Sequence, residues 1–176
     1  FAFYFSPLHF LLVRSIVREL GASRVSVPSI VDIGCGTGVA GAAWAMEIDP
    51  PPRIIGLDRN SWAIREAKWN CATLQLNAAF RTEDVESLRI PSGAAVIAAF
   101  TLNELAESAR QQMLSRIVSA ARHGSPVLIV EPIARRVASW WPEWKNAIVE
   151  AGGRDDDWRI AVDLPEKLAL MDKSAG

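Results

Sequence analysis

Three closely spaced glycines and a few carboxylates carry the chemistry that can be read from this chain. The run Val31-Asp32-Ile33-Gly34-Cys35-Gly36-Thr37-Gly38 reads as a buried strand that ends in an acid and passes into a glycine-rich turn. An alanine-rich helix, Val39 to Met46, follows. Glycine lets a backbone turn tightly and come close to a ligand, because no Cβ stands in the way. The start of the following helix then offers unpaired N–H groups to something polar or anionic. A nucleotide or nucleoside cofactor is held in this way, whereas a plain strand-to-helix turn needs one glycine and not three.

The spacing bears on which cofactor. A dinucleotide fingerprint runs G-x-G-x-x-G directly after the strand. Counted from Gly34, its third glycine falls on Val39. The register Gly36, Gly38, Gly41 fits, but it starts two residues late and leaves Asp32 without a role. An NAD-dependent oxidoreductase is therefore the weakest of the readings. Asp58 lies about 20 residues past the glycine turn, where an acid meets the vicinal hydroxyls of a ribose. That position suits dehydrogenases and nucleoside-binding enzymes alike, and a solvated loop acid is the plainer alternative.

Unshifted, the motif is D-x-G-x-G-x-G, from Asp32 to Gly38. It resembles the first motif of the class I S-adenosylmethionine-dependent methyltransferases, and the likeness covers roughly residues 25 to 135. The resemblance implies a set of cofactor-binding residues: Asp32, Gly34, Cys35, Gly36 and Gly38 at the turn, and Asp58 with Arg59 at the ribose. Asp84 would meet the adenine amino group, with the Val85 N–H on a ring nitrogen, and Phe100 would close the set. In Phe100-Thr101-Leu102-Asn103-Glu104-Leu105, the methyl group and its acceptor usually meet. There Asn103 is a candidate to orient a substrate N–H and Glu104 a candidate base. A helix start, with Glu104 favoured by the dipole, explains the same two residues equally well. The D/N-P-P-Y tetrad of many amino-methylating enzymes is absent. A shorter likeness, over Ala98 to Leu105 and Val130-Glu131-Pro132, is to mitochondrial small-ribosomal-subunit methyltransferase-like proteins.

Alternating strand and helix patterns must position these residues. Strands are expected at Ser29–Ile33, Arg53–Asp58, Ala79–Thr82, Ala94–Phe100, Pro126–Glu131 and Trp158–Val162. Helices are expected from Ser6-Pro7 to Gly21, from a Ser61 cap, from a Ser108 capping box to Gly124, and from Pro142 to Gly152-Gly153. Leu164 to Met171 reads as a last helix. This order predicts an α/β fold: a doubly wound, mostly parallel Rossmann-like sheet flanked by helices. Ligands then bind at the carboxyl ends of the strands. The expected organisation is one domain over 1–176, with a helical cap at 1–24 and a core at 25–176. Six strands where the family has seven predict a core lacking its final strand, in a chain trimmed from a longer one.

Composition narrows the function classes. The chain has 176 residues, is 50% hydrophobic and carries a net charge of −1, so no global basic field draws it to nucleic acid. RNA stays open as a methyl acceptor beside small molecules, but net charge does not point to it. No apolar run approaches a membrane span. Two cysteines without a C-x-x-C or Cys/His cluster give no metal site and suggest reduced thiols in a cytoplasmic protein. His9 is a speculative base in an aromatic segment, and His123 suits a helix end. Packing is the favoured role for Trp140, Trp141, Trp144 and Trp158. Trp62 either flanks the adenine or anchors its helix. Arg135-Arg136 read as a solvated pair. The reading that competes with an active enzyme is a non-catalytic S-adenosylmethionine-binding scaffold that works through a partner.

Overall fold

The computed structural model describes residues 5–132 and 139–161. Among these residues are five α-helices and five strands: α1 (Phe5–Glu19), β1 (Ser29–Ile33), α2 (Val39–Ala45), β2 (Arg53–Asp58), α3 (Ser61–Thr73), β3 (Ala78–Thr82), β4 (Ala95–Ala99), α4 (Glu107–Arg122), β5 (Val127–Val130) and α5 (Trp141–Glu150). Strand and helix alternate except between β3 and β4, which a short 3-10 turn at Val85–Ser87 connects. The strands form one parallel sheet in the order β3-β2-β1-β4-β5. The order reverses between β1 and β4, and the crevice above their carboxyl ends is where such sheets take ligands.

Burial on both faces explains the composition of the central strands. Every residue of β1 is buried, as are the first four of β4. Such strands read as continuous apolar runs rather than alternating ones. Alternate side chains still serve opposite faces. Ile30, Ile54 and Ile97 pack toward α1, α2 and α3, whereas Val31, Ile33, Val96 and Ala98 pack toward α4 and α5. Asp32 is the exception on the first face, since it replaces an apolar residue in the middle of a buried layer. Trp144 is fully buried on the second face and meets Trp140 edge-on at 5.3 Å between ring centroids. The tryptophans after β5 are thus packing residues, as their helical spacing suggests.

Several local expectations need correction. Ser6 does not cap the first helix. It lies within α1, buried, with its hydroxyl 2.7 Å from that of Thr37 in the glycine turn. Asn60 caps α3 in place of Ser61: its side-chain oxygen accepts from the N–H groups of Trp62 and Ala63. The reason lies one step upstream, where Asp58 accepts the Asn60 N–H at 2.7 Å and turns that side chain onto the helix end. The Ser108 box does not form. Arg110 N–H bonds Ala106 carbonyl at 2.9 Å, so α4 begins before Ser108, and Ala106 at its cap offers no side-chain bond.

The sixth strand is absent over residues 158–161. Trp158 and Ile160 do alternate onto the core, but no neighbouring strand pairs with them. Val162, Arg135-Arg136 and the expected helix at Leu164–Met171 lie outside the described residues. Among the described residues, no helix is long and apolar enough to cross a membrane, and no cluster of His, Cys, Asp and Glu is arranged to hold a metal.

Candidate functional site

The glycine turn is built by left-handed backbone. Gly34, Gly36 and Gly38 have φ of +60°, +51° and +76°, a region that side chains with a Cβ enter only at a cost of about 1–2 kcal/mol. Two of the three are also closely packed: Gly34 has no room for a Cβ, and Gly38 has room only if a neighbour yields. One at Gly34 would stand 2.1 Å from Thr101 Cγ2, and one at Gly38 would stand 3.0 Å from Ala67 Cβ. Gly36 differs, because a Cβ there meets nothing within 4 Å. Gly34 and Gly38 are therefore glycines for packing, and Gly36 is the one that leaves room above the turn.

Two carboxylates tie this turn down. Asp32 is buried, and its Oδ2 accepts the Gly41 N–H at 2.9 Å. Gly41 stands in the first turn of α2, whose own cap residue, Gly38, supplies no side chain. Asp32 thus caps α2 from the strand beneath it, through an oxygen that accepts whether or not the carboxyl is ionised. A Cβ at Gly41 would sit 2.8 Å from that oxygen, so glycine is needed for the approach. Burial pushes the Asp32 carboxyl up to about 7, the Gly41 bond works against this, and the charge of Asp58 adds to it. Asp58 is half-buried at the end of β2. Its Oδ2 accepts the Gly36 N–H at 2.8 Å, while Oδ1 accepts that of Asn60. Each oxygen of a carboxylate has two lone-pair directions, so acceptor capacity remains on both for a diol.

The other cofactor candidates line the same edge. Cys35 is buried, its N–H bonds Leu57 carbonyl at 2.9 Å, and burial pushes its thiol well up, so it stays protonated and unreactive. Cys71 in α3 is likewise raised, to about 11, by burial. Arg59 is exposed beside Asp58. Glu83 N–H bonds Asp58 carbonyl at 3.2 Å, which brings the ends of β2 and β3 together. Asp84 is exposed there, with Oδ1 on the Glu86 N–H, and Val85 is buried behind it.

Phe100, at the end of β4, has a left-handed backbone with φ of +58°. A side chain held in this region marks a constrained position. The turn brings its ring against His9 of α1, nearly parallel and 3.8 Å away between centroids. Burial lowers the His9 pKa and so favours the neutral imidazole. His9 and Phe100 together bring the N-terminal helix to the switch point.

The two catalytic candidates part company. Glu104 is exposed. Asn103 is half-buried, and its amide is engaged at both ends: Nδ2 donates to Glu131 Oε2 at 2.6 Å, and Oδ1 accepts the Trp140 indole N–H at 3.0 Å. Sequence reasoning missed this use of Asn103, and it missed Thr101, whose hydroxyl donates to the Gly34 carbonyl at 3.0 Å. It also missed Asn70, whose amide donates to the Thr37 carbonyl at 3.0 Å. The one available signal was Glu131 itself, an acid directly after an apolar strand.

Residues 30–124, more than half of the chain, match the methyltransferase domain family. The chain belongs to that family. No curated protein matches the sequence of this methyltransferase domain. Its fold is that of several solved S-adenosylmethionine-dependent methyltransferases. One from Aquifex aeolicus is 17% identical, with a TM-score of 0.58 over 84% of this chain and 82% of that one. The magnesium protoporphyrin IX methyltransferase of Synechocystis PCC 6803, solved with S-adenosylmethionine bound, is also 17% identical, with a TM-score of 0.59 over 82% and 68%. One from Clostridium acetobutylicum is 14% identical, with a TM-score of 0.52, and the chain spans about half of its length, 48%. The likeness to class I methyltransferases read from Asp32 to Gly38 is thereby borne out for family and fold. None of these matches bears on the shorter likeness to mitochondrial ribosomal methyltransferase-like proteins.

Proposed function

We propose that this chain is an S-adenosylmethionine-dependent methyltransferase whose cofactor lies across the carboxyl ends of β1, β2 and β3. The observation that carries this reading is the junction of Gly36 and Asp58. There a glycine with open space above it is bonded to a carboxylate that keeps acceptor capacity. These residues fit the group: Asp58 takes the ribose hydroxyls, with exposed Arg59 beside it. Asp84 and the Val85 N–H take the adenine edge, and Gly34 to Gly38 face the amino-acid portion. Asp32 and Cys35 serve from beneath, Asp32 through α2 and Cys35 by filling the floor of the turn. Bound S-adenosylmethionine supplies an electrophilic methyl group, and much of the reaction's driving force belongs to it. The protein's part is to align an acceptor with the methyl group and to exclude water.

The acceptor, a small molecule or RNA, approaches beside Phe100, Asn103 and Glu104 under the cap formed by α1. Its class follows from an assay, in which tritiated S-adenosylmethionine is offered with small-molecule, protein and RNA pools. Label in one pool, lost in Asp58→Ala, supports the reading. A second reading, a cofactor-binding scaffold without turnover, draws on the engagement of Asn103 by Glu131 and Trp140. Binding of S-adenosylhomocysteine with no label in any pool would favour it.

A further inference from the structure

The loop after β4 is gripped from both sides by side chains of β5's carboxyl end and of α4. Glu131 Oε1 accepts the N–H groups of Thr101 and Leu102 at 3.1 and 2.8 Å, while Oε2 accepts the Asn103 amide. On the far side of the short helical turn Leu102–Glu104, Arg110 donates to the carbonyls of Leu102 and Leu105 at 3.3 and 3.1 Å. The same guanidinium lies 5.2 Å from the centre of the Trp140 ring. An anion thus holds the N–H end of the turn and a cation its carbonyl end.

The chain of bonds has one possible direction. An indole N–H only donates, and an ionised carboxylate only accepts. The amide of Asn103 stands between the two, so its oxygen must face Trp140 and its nitrogen Glu131. Either reversal sets donor against donor or acceptor against acceptor in a half-buried place, where an unmade bond costs about 1–3 kcal/mol.

We propose that Glu131 and Trp140 are positioning residues that together orient the Asn103 amide and fix residues 101–104 at the end of β4, on the side where the methyl acceptor binds. The proposal rests on the methyltransferase reading for the word acceptor, but not for the geometry. Neither residue need touch substrate. Glu131 acts through three donors of one loop, and Trp140 acts through its hydrogen bond to the amide, with its ring beside Arg110.

Exchange of the two side-chain types tests it. In Glu131→Gln, the new N–H faces that of Asn103. If Asn103 flips to relieve this, its nitrogen then faces the indole N–H. In Asn103→Asp, two carboxylates face each other. Combined, the substitutions rebuild the whole chain: the glutamine oxygen accepts from Thr101 and Leu102, its nitrogen donates to the new carboxylate, and the indole donates to that carboxylate's other oxygen. The readout is the indole N–H resonance of Trp140 in protein labelled with 15N-tryptophan, identified by its loss in Trp140→Phe. Each single variant should shift that resonance and lower the melting temperature, and the double variant should return both toward wild type. Shifts that add in the double variant, or a Glu131→Gln that leaves the resonance in place, would overturn the proposal. Should a single variant fail to fold, the double variant decides alone: a folded protein with a wild-type-like resonance supports the proposal, and an unfolded one overturns it. Calorimetry with S-adenosylhomocysteine on wild type separates the two claims, since a rescued resonance without homocysteine-product binding would retain the network and remove the cofactor reading.

Discussion

The two halves of the site are held by different kinds of bond. Under the ends of β1 and β2, Asp32 reaches Gly41 nine residues away and Asp58 reaches Gly36 across 22, each carboxylate binding a backbone N–H. Under the ends of β4 and β5, Glu131 and Asn103 are 28 residues apart and Asn103 and Trp140 are 37 apart, and these contacts join side chain to side chain. A backbone N–H is present whatever the residue, so the first half asks only for an acid at a strand end and for glycines that let it approach. The second half asks for three particular side chains: Glu131 also takes the backbone N–H groups of Thr101 and Leu102, but it reaches Trp140 only through Asn103. Thr101 joins the halves, because its hydroxyl bonds Gly34 carbonyl while its N–H is held by Glu131. The first half is thus the more local and the second the more dependent on the finished fold.

The largest effect is expected where the halves meet. Gly34→Ala combines a left-handed φ with a Cβ 2.1 Å from Thr101. It should cost on the order of 3 kcal/mol or more in urea denaturation. Gly93→Ala has a similar φ of +73° but open space around it. It should cost about 1–2 kcal/mol from the backbone alone. Equal losses in the two variants would mean that the turn is not packed on the β4 loop at all.

A smaller effect, with a distinct pH dependence, is expected at Asp32. Its folded pKa is raised, mainly by burial, to about 7. The folded state therefore holds this proton more tightly than the unfolded chain does. Its contribution to stability is full below pH 4 and is lost progressively as pH rises toward 7. Asp32→Asn keeps an acceptor for the Gly41 N–H but does not titrate. The variant should gain stability relative to wild type between pH 4 and 7, as measured by denaturation at a series of pH values. A constant difference across that range would contradict a protonated, buried Asp32.

The smallest effect belongs to neither half. Glu47, below the end of α2, pairs with Arg18 at 2.7 Å and with Arg14, both on α1. These bonds lower its pKa, with Arg18 the larger cause. Their contribution is present above the ordinary glutamate range and is lost as pH falls through the lowered value. Glu47→Gln should reduce the melting temperature by about 2 °C, less in high salt, and leave cofactor affinity unchanged. A large loss of affinity would show that the α1–α2 contact, with Ser6 on Thr37, governs the glycine turn as well.

The difference between the halves also explains what could be read in advance. β1 and β2 were legible to the residue because each is a short apolar run with an acid at or next to its carboxyl end, where the glycine turn or a helix cap follows. The cap of α3 was misread by one position, since Asn60 and Ser61 are both capping residues and only the bond from Asp58 to the Asn60 N–H selects between them. Trp158 and Ile160 carried the alternation of a strand because they do face the core, but pairing is a property of neighbours and not of the segment itself. Glu131 and Trp140 were hidden for the reason that makes them useful: nothing in their spacing records that Asn103 lies between them.

The most direct test is calorimetric titration of the wild type and of Asp58→Ala with S-adenosylhomocysteine and, separately, with NADH. The methyltransferase reading predicts binding of S-adenosylhomocysteine by the wild type, at least about tenfold weaker binding by Asp58→Ala, the worth of about 1.4 kcal/mol, and no binding of NADH. Binding of NADH in place of S-adenosylhomocysteine would contradict it.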